Sequence, residues 1–254
     1  MEDRVEKIVN EYNQNLLDID RFVFGTTLSY VFFQDKYKEL SKEYEGGKEM
    51  ELFKDLNSKI PDYESEVFVL AIINLIARAE VFLNDILEIL FIWQKKALIS
   101  DKTISYKEVL ESENIEELVE AIRAKEILKF SHSSFKDKLK YLKVKFKLHF
   151  PSIEEHMIAI VEIFTTRNII LHNNGLINET YLNINKNSNF VLGSKRPVNK
   201  DYVHNTYIYL TILGRSVEKK VKEKIIEANT LEPLVAKNKP ETDESELNKN
   251  NLTT

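Results

Sequence analysis

VFVLAIINLIARAEVFLNDILEILFIW, residues 67–93, is the oiliest stretch of the chain, and its reading decides the fold. Asn74, Arg78, Glu80, Asn84, Asp85 and Glu88 interrupt it, which is too polar for a membrane span of about 20 apolar residues. Asn74, Arg78, Asp85 and Glu88 share one helical stripe at i, i+4, i+11 and i+14, the solvent side of a long helix from Ser65 to Leu98. The segment therefore reads as a buried central helix.

Outward from it, five prolines and six glycines in 254 residues leave long uninterrupted runs. Such a chain favours helices joined by polar loops, so the expected class is all-α. A first helix over residues 3–24 or somewhat beyond carries Val5, Ile8, Val9, Tyr12, Leu16, Ile19 and Phe22 at three-to-four spacing. Residues 36–65 read as a polar connector holding Gly46-Gly47 and Pro61-Asp62, with room for a short helix. Helices near Ser105–Glu111 and Asn114–Phe130 are announced by Ser105-x-x-Glu108 and Asn114-x-x-Glu117, which have the form of capping boxes. Val144 to Phe150 alternates as a strand would.

Pro151 reads as the first-turn proline of another helix and Gly175 as its terminator. An irregular or hairpin excursion with Gly193-Ser194 spans 176–200, a last helix runs from Asp201 to Ala228, and the polar tail 229–254 reads as disordered. The expectation is a single helical domain over 1–228, with its core at about 60–228 and the N-terminal helix packed on it.

The formal charge of -5 argues against coating nucleic acid by bulk electrostatics, yet six lysines (136, 138, 140, 143, 145, 147) face the single Asp137 between Lys136 and His149. Lys138, Lys140, Lys143, Lys145 and Lys147 are candidate RNA-backbone contacts, a solvated helix face being the commoner explanation of such a run. The absence of cysteine excludes thiolate chemistry and fits a reducing compartment; with a charged N-terminus unlike a secretion signal, the expected location is the cytoplasm. His132, His149, His156 and His204 lack ligand spacing, and no Gly-rich phosphate loop or GxSxG elbow is present, so neither a metal nor a cofactor is expected.

The segment most suggestive of chemistry is Arg167-Asn168-Ile169-Ile170-Leu171-His172, followed by Asn173-Asn174-Gly175. Arg167 shares a stripe with Ile153, Met157, Ile160, Phe164 and Leu171, where packing asks for leucine. A charge there needs a carboxylate such as Glu80 or Asp85, or a wet groove. Ile169 and Ile170 lie near the side carrying Glu155, Glu162 and Thr166, so the last turn is apolar nearly all round, and a second subunit is one means of covering it. Arg167 and His172 diverge by about 140° on a straight helix, converging only where it ends or bends, or in a cleft shared with a partner protomer. A histidine at a helix C-terminus also has an ordinary role beside the last carbonyls.

This pattern resembles the HEPN superfamily, whose ribonuclease members carry an Arg, a polar residue and a His late in a helical bundle. Arg167, Asn168 and His172 stand in those places. The resemblance extends over about residues 60–228, through Ala79-Glu80-Val81-Phe82-Leu83-Asn84-Asp85, Lys138-Leu139-Lys140-Tyr141-Leu142 and His172-Asn173-Asn174-Gly175-Leu176-Ile177 with Tyr181. It implies a HEPN-like bundle and a metal-independent endoribonuclease of the phage-defence or toxin type. Arg167 and His172 would be catalytic, with Asn168, Asn173 and Glu80 in support. The implied partners are RNA, a second copy of the chain, and an antitoxin or defence-system protein. The rival expectation is a catalytically silent HEPN-like module that binds RNA, a nucleotide or a protein.

Overall fold

The apolar segment 67–93 lies within the 46-residue helix α2 (Lys48–Trp93), which follows the 42-residue α1 (Glu2–Glu43). Tyr12 stacks on Phe82 and Phe33 meets Phe53, so α1 and α2 run antiparallel. In this computed structural model the described residues are 1–43, 48–99, 103–186 and 188–237, and they form nine α-helices and no strand. A 3-10 turn at Lys95–Leu98 precedes α3 (Tyr106–Glu111), α4 (Ile115–Ser131), α5 (Phe135–Phe146), α6 (Pro151–Glu155), α7 (Met157–Asn173), α8 (Glu179–Ile184) and α9 (Lys200–Lys237). Among them none is long and apolar enough to cross a membrane.

α2 is the hub, packed by α1, α4, α7 and α9. Ile72, Leu75, Ile76, Ala79, Leu83, Ile86, Leu87 and Leu90 are buried on it, while Asn74, Arg78 and Glu88 are exposed and Asp85 is half-buried. The polar stripe is thus the outer side, as its spacing predicts. α9 returns antiparallel to α1: Tyr12 donates to the Leu210 carbonyl at 2.9 Å, and Lys222 meets Glu6 at 3.4 Å. Gly214 permits that crossing, since a Cβ there would stand 2.7 Å from the Tyr12 ring.

Several boundaries differ from expectation. α1 runs on to Glu43, and its inward stripe passes from Leu16 to Val23 while Phe22 is 58% exposed. The polar connector 36–65 is helical up to Glu43 and again from Lys48, and Pro61 sits inside α2, where its ring removes one intrahelical hydrogen bond. Gly46-Gly47 lie outside the described residues. The alternating Val144–Phe150 is not a strand: α5 continues to Phe146, and Lys147 (φ 59) stops it. Beyond that stop the alternation survives as burial alone, with Leu148 and Phe150 inside and His149 outside. The helix begun by Pro151 breaks at His156 into α6 and α7. α9 continues through residues expected to be a tail as far as Lys237, and the rest of that tail, 238–254, lies outside the described residues.

Elsewhere the local signals match. Asn114 caps α4 by accepting from the Glu117 N–H at 2.8 Å. The excursion after α7 contains α8 and closes like a hairpin, with Ile177 N donating to Ser194 O, Gly193 N to Ile177 O and Arg196 N to Gly175 O.

Candidate functional site

α7 buries Ile160, Val161, Ile163, Phe164 and Ile169, which hold it against α2, α5, α8 and α9. It ends in a left-handed pair, Asn174 (φ 51) and Gly175 (φ 74), whose Gly175 N–H reaches back to the Ile169 carbonyl at 2.9 Å. Asn173 is the last helical residue, and its Nδ2 donates to Leu176 O at 2.7 Å. That bond locks the turn after the helix.

Arg167 finds its carboxylate 87 residues away. Nη2 donates to Glu80 Oε2 at 3.0 Å, Nη1 donates to Asn168 Oδ1 at 3.2 Å, and Nε is buried with no partner. Both members of the ion pair are half-buried. His172 stands exposed one turn beyond Asn168, on the same stripe of α7. Arg167 and His172 belong to one uninterrupted α-helix, and the guanidinium contacts Asn168 on the Asn168–His172 stripe. Leu171, beside His172, is 46% exposed, so the last turn is open on that side within one chain.

Lys138 must be withdrawn from the RNA-facing set. It is 1% exposed, and its ammonium donates to the carbonyls of Ser131 at 2.8 Å and Ser133 at 2.6 Å, capping the end of α4. Burial lowers its pKa, the Glu80 carboxylate opposes that shift, and Arg167 adds to it. Lys138 thus belongs with the Glu80–Arg167 pair as an inner cation. Lys140, Lys143 and Lys147 are exposed; Lys143 approaches Glu154 at 3.8 Å, while Lys145 donates to the Ile99 carbonyl at 3.2 Å.

A second cluster on α7 escaped the sequence reading, which named Glu162 only as sharing a side of the helix with Glu155 and Thr166. The Glu162 carboxylate accepts from Arg196 Nε at 3.0 Å, Thr166 Oγ1 at 2.7 Å, Tyr202 Oη at 2.8 Å and Tyr181 Oη. The Arg196 guanidinium lies over the rings of Phe190 at 4.6 Å and Tyr202 at 4.3 Å. Burial and the Glu162 carboxylate push the Tyr181 hydroxyl up to about 12 and raise Tyr202 as well. Both phenols therefore stay protonated and donate at neutral pH. The only local signal was the Glu162-x3-Thr166 spacing on an otherwise oily helix.

Between the two clusters a cleft of about 830 Å³ follows α7, with Ile158, Val161, Thr165 and Asn168 along its floor. One wall is the start of α5 with Glu80, and the other is the segment after α8 with Arg196. Among the described residues no group of three His, Asp or Glu side chains is placed to hold a metal ion. Comparison with models of protein families, with curated proteins and with solved structures finds no match.

Proposed function

We propose that the protein is an endoribonuclease of the HEPN kind, acting in phage defence or as a toxin. The observation that carries this reading is the Arg167 head group, aimed by Glu80 toward the exposed stripe of Asn168 and His172. RNA brings its own nucleophile, the 2′-OH. The protein then needs a proton-transfer group and a cation at the phosphorane, roles suited to His172 and Arg167. An RNA phosphate would displace the Asn168 carboxamide from Nη1 and keep the Glu80 contact. Attack by the 2′-oxygen on phosphorus expels the 5′-oxygen, leaving a 2′,3′-cyclic phosphate and a 5′-hydroxyl. In-line transfer uses a base on one side and an acid on the other, and the C-terminal end of α7 offers one histidine per chain, His172. A homodimer through the end of α7 supplies the second, and exposed Leu171 lies where the two copies would meet. An antitoxin or defence-system partner and a cytoplasmic setting belong to the same reading.

A second reading is favoured by a specific observation. Both Nη atoms of Arg167 already have partners within the chain, and His172 lies about 140° around the same helix. That arrangement suits a catalytically silent module that binds RNA, a nucleotide or a protein.

The deciding experiment incubates RNA with wild type, His172→Ala and Arg167→Ala, prepared identically, in EDTA, with product ends mapped. The nuclease reading expects cleavage by wild type alone with cyclic phosphate ends, and a loss of about 10²–10⁴-fold in His172→Ala. Equal cleavage by all three exposes a contaminant. No cleavage by any folded protein favours the silent module, as does a monomeric mass in solution for the composite site.

A further inference from the structure

We propose that the outer face of α1 around Leu28 pairs with a second copy of the chain, the two helices lying antiparallel about a two-fold axis at Leu28. Tyr12 of α1 reaches Leu210, and α9 begins at Lys200, so the antiparallel α9 runs out about ten residues beyond Tyr12, near Phe22. From there α1 turns Val23, Tyr30 and Phe33 inward, with Phe33 against Phe53 of α2. On its other side Phe24, Leu28, Val31 and Phe32 are 60%, 39%, 48% and 65% exposed. These four share a band of about 100° on the helix, roughly opposite the inward stripe. Their exposed surface, on the order of 400 Å² for side chains of these sizes, is in the range where the largest apolar patch of a soluble protein is often functional.

The order of residues along this face selects the occupant. Counted from Leu28, Phe24 and Phe32 stand four residues to either side, and Arg21 and Asp35 seven to either side. The stripe therefore reads alike from both ends, except that its terminal charges are opposite. An antiparallel second copy lays Phe24 on Phe32 and Arg21 on Asp35 at both ends, whereas a parallel one sets like charges together. Within the chain Arg21 approaches Asp18 at 3.9 Å and Asp35 accepts from Lys38 at 3.3 Å, both pairs being exposed and weak enough to yield to a partner. From Arg21 to Asp35 the seam is about 21 Å long. A contact this small pairs weakly, with a dissociation constant on the order of micromolar. It lies on a different helix from the end of α7 and does not rest on the ribonuclease reading. Where both faces pair, two independent two-fold contacts carry assembly beyond a dimer.

The chain has no cysteine, so Leu28→Cys adds a single thiol, and a thiol on a two-fold axis meets its own copy. The test oxidises the full chain carrying Leu28→Cys or Ser29→Cys, the latter turned about 100° away, and measures mass by sedimentation over a micromolar concentration range. All proteins carry Leu171→Glu, which removes pairing through the end of α7. A disulfide-linked pair from Leu28→Cys, and none from Ser29→Cys, is the expected result. Leu28→Glu, shown by circular dichroism to be folded, should weaken self-association at least about 100-fold by facing two carboxylates at the axis. Arg21→Asp should weaken it about tenfold, and Arg21→Asp combined with Asp35→Arg should restore it. A chain that stays monomeric without these α1 changes, or cross-links equally at both thiols, overturns the pairing. Self-association lost in Leu28→Glu but indifferent to Arg21→Asp overturns the antiparallel register.

Discussion

Two Glu–Arg pairs sit on opposite sides of α7 with the same 3.0 Å separation, and they have opposite characters. Glu162–Arg196 is closed: its side chains are 19% and 11% exposed, two tyrosines and a threonine saturate the carboxylate, and aromatic rings cover the guanidinium. Glu80–Arg167 is open. It is more exposed, its Nε lacks a partner, and it adjoins the exposed Asn168 and His172. The closed cluster fastens the 176–200 excursion to the helix, whereas the open one has unspent hydrogen-bonding capacity. An ion-pair distance alone therefore distinguishes nothing; the count of remaining partners does.

The largest expected effect tests the closed side. Glu162→Ala strands Arg196 and two phenols, and a loss of about 3–5 kcal/mol in urea unfolding is expected. Glu80→Ala, whose arginine can turn toward water, should cost only about 1 kcal/mol. Equal losses would erase the distinction between the pairs.

Next is Lys138→Met, which removes the cation bridging the Ser131 and Ser133 carbonyls. A cost of about 1–3 kcal/mol is expected from the orphaned acceptors, with RNA affinity no lower than in Lys140→Met. A selective loss of RNA affinity would return Lys138 to the binding surface.

His172→Ala should change stability by no more than about 0.5 kcal/mol, because the ring is exposed. A large fall in Tm would make His172 a packing residue and close the open side.

The smallest effect concerns Asp85, which lies on α2 like Glu80. Burial first, and the charges of Glu88 and Glu11 after it, raise its carboxyl above the usual 3.8. A raised folded pKa means that the protonated form favours the fold, so its contribution is present below 3.8 and is lost as pH rises through the folded value. Asp85→Asn should accordingly raise Tm slightly at neutral pH, and the gain should vanish in acid. A gain independent of pH would point to packing instead.

Legibility followed the range of the interaction. Val5, Val9, Tyr12 and Leu16 announce the inner face of α1, Asn114 announces α4, and the Asn174–Gly175 end of α7 is legible because capping is local. The misreadings arose where a local pattern had no tertiary counterpart. Leu148 and Phe150 alternate with His149 but have no neighbouring strand, and the polar residues 36–43 and 48–65 are helical because α1 and α2 support each other. Lys138 matched its lysine neighbours in composition and differed from them only in what lay above it.

By itself the sequence determined the helical class, the central role of residues 67–93, and the placing of Arg167, Asn168 and His172 at the end of one helix. Periodicity and capping act over a few residues, and those are written in order along the chain. Tertiary structure alone decided which charges are spent. Arg167 meets Glu80 across 87 residues and Arg196 meets Glu162 across 34, and neither spacing carries a periodic signal. The difference between a sealed ion pair and an open one is set by the side chains that crowd around it, which only packing brings together.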